Sequence, residues 1–438
     1  MFENKNILIF GFGVTGKSAL RCMSKFTSNL YVYDKNEENL KEDLNISFKN
    51  FILEDLDKID FIVKSPGINP DNEILIRARQ KNIKIFSDIE VAYLITKCKH
   101  IIAITGTNGK TTTTSIVNEI LKRENTTYCV GNIGKGILDI ALDAREDEYI
   151  VLEASSFQLE DTESFKPEVS AITNITIDHL DWHKTIENYK NAKLKVLKNQ
   201  SNTDFTILNY RDEYLKSLKF NRDIYYFSLE DANKFGCYVK DGKIYFRDVT
   251  FREEEVLLTS DIKIPGSHNV ENVLTAVTIA KCLNISNEKI KDAVSNFFGV
   301  EHRMEFVKEI KNVVYYNDSK GTNPDSTIMA INAVDDNIIL IAGGYDKEAD
   351  FEEMLKIGKN KIKKLVIYGQ TADKIEESAR HLNYSIYRVK DLEEAVSVAS
   401  SFAIKGDTVL FSPACASWDM YSSFEERGRH FKNLVSRL

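Results

Sequence analysis

At roughly 150 residues per domain, a chain of 438 residues has room for about three domains. Its 43% hydrophobic and 28% charged residues exclude a mainly disordered or collagen-like polymer, and a formal net charge of −8 argues against broad backbone-driven binding of nucleic acid. Cys22, Cys98, Cys129, Cys237, Cys282 and Cys415 stand singly, which fits neither a disulfide framework nor a zinc site and suits a reducing cytoplasm.

No window approaches about 18 consecutive apolar residues, so no membrane span is expected. The first strand-like run begins within a few residues of Met1, leaving no room for a secretory signal. Short apolar runs then alternate with helical stretches, at 6–10, 29–33, 61–64, 83–86, 100–104, 149–152, 171–175, 338–342, 365–368 and 408–411. That alternation predicts an α/β protein with mostly parallel sheets. The stretch 237–250 reads instead as an antiparallel pair turning at Asp241-Gly242. Prolines are few, so domain limits rest on pattern: 1–97, 98–300 and 301–438 are expected.

The first strand feeds Gly11-Phe12-Gly13-Val14-Thr15-Gly16, a G-x-G-x-x-G loop with a strand before it and a helix after it. Glycines there allow a tight turn and a close phosphate at a helix start. Asp34 follows about 20 residues later, where a ribose-binding acid is expected. A plain tight turn, a dinucleotide site and another nucleotide-type ligand all remain open. Lys64-Ser65-Pro66-Gly67-Ile68 either touches the same ligand or is only a turn.

The second glycine loop is the stronger signal. Thr105-Gly106-Thr107-Asn108-Gly109-Lys110-Thr111-Thr112 carries the G-K-T end of a phosphate loop, with Ile104 where the full pattern has its first glycine. Backbone N–H groups would cradle phosphates, Lys110 would offset their charge, and the Thr111 hydroxyl could ligate Mg²⁺. Glu153 closes the strand at 149–152 and is a candidate metal ligand. The loop 174–183 brings Asp178, His179, Asp181 and His183 together without the H-E-x-x-H spacing of a zinc protease; His179 is expected to be the functional histidine. In the next helix, capped by Thr185, residues Ile186, Tyr189, Lys193 and Val196 share one face. Lys193 there is either a snorkelling side chain or a functional one.

In the last third, His302-Arg303 is followed by Asn317-Asp318-Ser319-Lys320-Gly321-Thr322-Asn323-Pro324, with Asn323 as cap and Pro324 in the first turn of a helix. Two further strands end in Gly343-Gly344-Tyr345-Asp346-Lys347 and Ser412-Pro413-Ala414-Cys415-Ala416-Ser417-Trp418-Asp419. Ligands bind at such carboxyl ends, so the three loops predict an anion or amino-acid pocket.

Together these segments, with G-N-I-G at 131–134, L-E-A-S-S-F-Q-L at 152–159, N-A-K-L at 191–194 and P-G-S-H-N at 265–269, make the chain resemble the Mur amide ligases of peptidoglycan synthesis over essentially its whole length. The resemblance implies three α/β domains: a Rossmann-like N-terminal domain, a central P-loop ATPase-like domain and a Rossmann-like C-terminal domain. It is similar above all to the members that join D-glutamate to UDP-N-acetylmuramoyl-L-alanine. On that likeness, Gly13, Val14, Thr15, Asp34, Lys35, Ser65, Pro66, Gly67, Asn132 and His179 would hold the UDP substrate. ATP would lie at Gly106, Thr107, Asn108, Gly109, Lys110, Thr111, Thr112, Asn269, Asn272, Arg303 and Asp318. Mg²⁺, as two ions, would be held by Thr111, Glu153, His179 and a CO₂-derived carbamate on Lys193. Lys110, Glu153, His179 and Lys193 would be catalytic, and Lys320, Thr322, Lys347, Ser417 and Phe424 would take D-glutamate. The resemblance also implies a cytoplasmic monomer without nucleic-acid partners. Gly321 stands where many relatives have alanine, which is expected to loosen its loop, and Phe12 and Trp418 stand where smaller residues are expected.

The implied reaction activates the alanyl carboxylate as an acyl phosphate, which the D-glutamate amine then attacks, releasing phosphate beside ADP. Closure of the third domain would align the amine and keep water out. A sister ligase adding another amino acid is the nearest alternative, and a folylpolyglutamate synthase a more distant one. An NAD-dependent oxidoreductase leaves the G-K-T loop, Glu153 and Lys193 unexplained. A non-catalytic nucleotide switch leaves the amino-acid pocket unexplained.

Overall fold

The computed structural model describes residues 1–41, 45–131, 135–334 and 336–438. The first sheet holds β1 (Ile7–Phe10), β2 (Leu30–Tyr33), β3 (Lys49–Asn50), β4 (Phe61–Lys64) and β5 (Lys84–Ser87), in the order β3-β2-β1-β4-β5 and parallel throughout. Every residue of β1 is fully buried, because helices cover both faces of a parallel sheet. That is why this strand is a continuous apolar run rather than an alternating one.

The second sheet holds β6 (His100–Thr105), β7 (Thr127–Gly131), β8 (Tyr149–Glu153), β9 (Val169–Ile172), β10 (Phe205–Asn209), β11 (Ile224–Ser228), β12 (Gly236–Lys240), β13 (Lys243–Arg247) and β14 (Glu253–Leu258). Its order is β14-β13-β12-β11-β10-β9-β6-β8-β7. It is parallel except at β12–β13 and β13–β14, and Asp241-Gly242 makes the expected hairpin turn. The strand expected at 171–175 ends at Ile172, since Thr173 and Asn174 turn their side chains onto the loop after β6. The third sheet holds β15 (Glu305–Ile310), β16 (Val313–Asn317), β17 (Ile338–Gly343), β18 (Ile362–Tyr368), β19 (Ile386–Arg388) and β20 (Thr408–Phe411), ordered β15-β16-β20-β17-β18-β19. Only β15 is antiparallel to its neighbour.

The chain forms two compact units. One contains residues 1–262 and 268–295 with the first two sheets; the other contains 263–267 and 296–438 with the third. Among the described residues, no helix is long and apolar enough to cross a membrane.

Within the first unit, buried polar groups tie the two sheets together. Glu90, fully buried, accepts the backbone N–H groups of Glu163, Ser164 and Phe165 at 2.9, 2.6 and 3.0 Å. Lys64, equally buried, pairs with Asp161 at 2.8 Å. The Gln158 amide donates to both oxygens of Asp88 at 3.2 and 3.0 Å. Burial pushes the Asp88 carboxyl up to about 6, against those hydrogen bonds. An acid raised in this way binds more protons folded than unfolded between about pH 4 and 6. Stability therefore falls as pH rises through that window, and the loss is complete above it. Asp88→Asn is expected to gain on the parent by on the order of 2 kcal/mol between about pH 4.5 and about pH 7.5, read from paired thermal melts. A constant difference across that range would refute the assignment.

Candidate active site

The segment after β6 is a glycine turn that runs directly into a helix. Gly109 takes a left-handed conformation (φ +83°) and starts the helix Lys110–Leu121. A side chain there would strain the backbone and collide with Asn272, whose Oδ1 would lie 2.2 Å from an added Cβ. Thr113 donates to the same Oδ1 at 3.3 Å, and Asn272 donates to Asn269 at 3.1 Å. Asn269 and Asn272 thus join the start of the phosphate-type helix. From the other side, Asn174 accepts the Asn108 N–H at 2.9 Å and donates to its carbonyl at 3.1 Å, and Thr173 donates to that carbonyl at 2.5 Å. Thr107 meets the Tyr189 hydroxyl at 3.0 Å.

Two lysines converge on one carbonyl of this loop. Lys110 donates to the oxygens of Gly106 and Thr107 at 2.9 and 2.7 Å, and Lys193 donates to the Gly106 oxygen at 2.7 Å. Lys193 is 2% exposed, as its place on the apolar helix face predicts. Burial first, then the neighbouring Lys110 charge, lowers its pKa to about 6, while Asp178 and Glu153 oppose the change. Glu153 is 1% exposed at the end of β8, in register with Ile104 of β6 and Gly131 of β7. Thr111 is buried in the first turn of the helix, and Thr112 is partly exposed.

The two histidines of the next loop differ in exposure. His183 is buried, bonds Ser156 at 3.0 Å and stacks on Phe157 with an interplanar angle of 3°. His179 has a left-handed backbone (φ 51°), a 46% exposed side chain and a ring 4.8 Å from that of Phe157. Asn132 lies outside the described residues.

Around the first glycine loop, Asp34 accepts the Phe12 N–H at 2.5 Å, the Asn36 N–H at 2.8 Å and the Asn39 amide at 3.1 Å. Ser65 donates to the Gly11 carbonyl at 3.0 Å, so the 64–68 turn lies against the loop. Gly13, Val14, Lys35 and Gly67 are exposed, and Thr15 and Pro66 partly so. Phe12 is fully buried against Phe48 and serves the core.

The second unit gathers its own residues at the carboxyl ends of β16, β17 and β20. Arg427, fully buried, donates to the carbonyls of Ser319, Cys415 and Ala416 and to the Ser319 hydroxyl. The Tyr345 N–H donates to Ala416 at 2.9 Å, bringing in the third loop. Lys320 lies over the Phe424 ring at 5.8 Å, Thr322 donates its N–H to Lys320 at 2.9 Å, and Ser417 is 2% exposed. Sequence reasoning missed Arg427, although it shares a helical face with Phe431 and Leu434. Asn323 caps its helix by accepting the Ser326 N–H at 2.8 Å. Asp318 is buried, accepts Ser412 at 2.6 Å and the Met304 N–H at 3.2 Å, and is raised by burial to about 6. Arg303 is exposed. Gly321 is not loose: an added Cβ would lie 2.5 Å from Asp318 Oδ2 and 2.8 Å from Ser412 Oγ.

Family models match three successive regions of the chain. They are the Mur ligase MurD-like N-terminal domain over 5–87, the Mur ligase middle domain over 104–280, and the Mur ligase glutamate ligase domain over 302–415. A UDP-N-acetylmuramoylalanine–D-glutamate ligase of Thermoanaerobacter sp. (strain X514) is 45% identical, covering 100% of this chain and 99% of its own length. The protein of that name from Clostridioides difficile (strain 630) is 44% identical with the same coverage. Among solved structures, the UDP-N-acetylmuramate-alanine ligase of Thermotoga maritima superposes with a TM-score of 0.59 at 21% identity, over 99% of this chain and 100% of that one. The Thermotoga maritima MurF ligase in complex with ADP gives 0.56 at 16% identity, over 100% and 96%. Those structures share the three-domain α/β architecture, and with sequence identity running end to end the chain belongs to the Mur ligase family.

Proposed function

We propose that this chain is the ATP-dependent amide ligase that joins D-glutamate to UDP-N-acetylmuramoyl-L-alanine in peptidoglycan precursor synthesis, acting in the cytoplasm as a monomer. The observation that carries this reading is the end-to-end identity of 45% with relatives bearing that activity in their name. The two clusters support it: one suits a triphosphate, the other an amino acid with two carboxylates.

The cradle at 106–112 fits a nucleotide phosphate chain, with a left-handed glycine at the start of a 12-residue helix and Lys110 beside it. Among the described residues, no three His, Cys, Asp or Glu side chains form a ready-made metal cluster. Mg²⁺ keeps waters and substrate oxygens as ligands, so the buried Glu153 carboxylate and the Thr111 hydroxyl, both oxygen donors, fit it. Bound there, with His179 and a carbamate on Lys193, Mg²⁺ would reduce the repulsion between two anionic substrates. Lys110 stabilises the charge that moves during phosphoryl transfer. The acyl phosphate supplies a leaving group that a free carboxylate lacks. Gly13, Val14, Thr15, Asp34, Lys35 and Ser65–Gly67 hold the UDP end, with Asn132 and His179 nearer the sugar; Asn269, Asn272, Arg303 and Asp318 serve ATP.

Lys320, Thr322, Lys347, Ser417 and Phe424 receive D-glutamate, whose charges need cations and hydroxyls to replace water. Release of phosphate and ADP with each candidate amino acid tests the whole reading. Lys347→Met is expected to raise the apparent KM for D-glutamate roughly tenfold or more, with little change for ATP. Equal effects on both substrates, or L-alanine serving as well as D-glutamate, would defeat the assignment.

A further inference from the structure

Trp418 stands where the family likeness predicts a smaller residue, and it is 62% exposed, directly after a stretch buried from Phe411 to Ser417. The Lys347 ammonium lies 4.6 Å from the centre of the indole, and the Tyr345 ring flanks the same indole at 5.5 Å and 58°. Lys347 makes no ion pair among the described residues, and the adjacent Asp346 pairs with Lys374 at 3.3 Å. Tyr345 is itself anchored through its backbone to Ala416, next to Ser417.

We propose that Trp418 is a positioning residue for the amino-acid substrate: its indole face, braced by Tyr345, holds the Lys347 ammonium at the pocket until a substrate carboxylate takes it over. This inference rests on the proposed function and deepens it. A free lysine side chain samples many rotamers, and fixing one on binding costs affinity. An exposed cation–π contact is strong enough to narrow that sampling and weak enough to yield to a carboxylate. The neighbouring pair, Lys320 over Phe424 at 5.8 Å, repeats the arrangement on the helix start. Trp418 therefore acts on substrate only through Lys347, which separates its role from that of a wall residue.

The test is a double-mutant cycle on the full chain, read by D-glutamate-dependent phosphate release. Trp418→Leu is expected to raise the KM for D-glutamate about threefold to tenfold, with kcat and the KM for ATP within about twofold. Trp418→Phe, which keeps an aromatic face, is expected to recover most of that loss. In a Lys347→Met background, Trp418→Leu should add nothing further. A D-glutamate titration should also change the intrinsic fluorescence of the parent, and that change should be missing in Trp418→Phe. Full additivity of the two substitutions, or a KM unchanged in Trp418→Leu, would overturn the positioning role while the parent remains a D-glutamate ligase. A parent that releases no phosphate with D-glutamate would overturn the functional reading itself.

Discussion

Lys110→Ala is expected to leave a folded protein whose phosphate release is lower by roughly two to three powers of ten. The fold should survive because the loop is held by other groups besides the two hydrogen bonds of this side chain. Asn174 and Thr173 hold it from one side, and Asn272 stands against Gly109 on the other. What the substitution removes is a charge at the first residue of a helix, resting on the Gly106 and Thr107 carbonyls where phosphate oxygens would compete for it. That charge matters most when phosphoryl oxygens carry the greatest excess of electrons, so the loss belongs in kcat. Lys110→Arg keeps the charge but spreads it over a planar fork, and should recover only part of the rate. Glu153→Ala should behave like Lys110→Ala, with extra Mg²⁺ restoring little. A melting curve matching the parent, combined with phosphate release within about twofold of it, would remove Lys110 from the mechanism.

The phosphate loop was legible in the sequence because its signal is local: a strand, a glycine turn, a lysine and a helix in unbroken succession. The residues that shape the loop carry no local signal: Asn272 was reached only through the family likeness and Asn174 was not, since both act across long sequence separations and look alone like any loop or helix asparagine. Asp88 and Glu90 posed the same difficulty. They follow the Ser87 cap in the first turn of a helix, where acids are favoured on electrostatic grounds alone. Only packing shows that Glu90 caps the backbone at 163–165 and that Asp88 is buried against Gln158. Lys193 lay between these extremes. Its helical spacing predicted a buried lysine, and it is buried, but spacing could not show that it would share the Gly106 carbonyl with Lys110. Gly321 misled in the opposite direction. Glycine suggests freedom, yet Asp318 and Ser412 leave no room there for a methyl group.

Lys193→Ala is expected to be nearly inactive and to be partly restored by acetate or another small carboxylate. The Lys193 amine is buried on the Gly106 carbonyl, with Glu153 and Asp178 close enough to influence its protonation. A permanent ammonium there would repel a metal and add charge beside Lys110. A carbamate would turn the same side chain into an oxygen donor, the hard ligand that Mg²⁺ prefers. Its formation needs a neutral amine to attack CO₂, and with a pKa lowered to about 6 the amine is mostly neutral at about pH 7.5. Below that pKa the amine is protonated and cannot take up CO₂, so activity should fall on acidification and recover with added bicarbonate only above it. A lysine that works purely as a cation predicts the reverse pattern: rescue of Lys193→Ala by small amines, none by carboxylates, and indifference to bicarbonate. Carbon-13 NMR with labelled bicarbonate would see the carbamate carbon directly in the parent and not in Lys193→Ala. An active, Mg²⁺-saturated sample without that signal, and without carboxylate rescue in the variant, would rule the carbamate out and leave Lys193 as a buried amine on the Gly106 carbonyl.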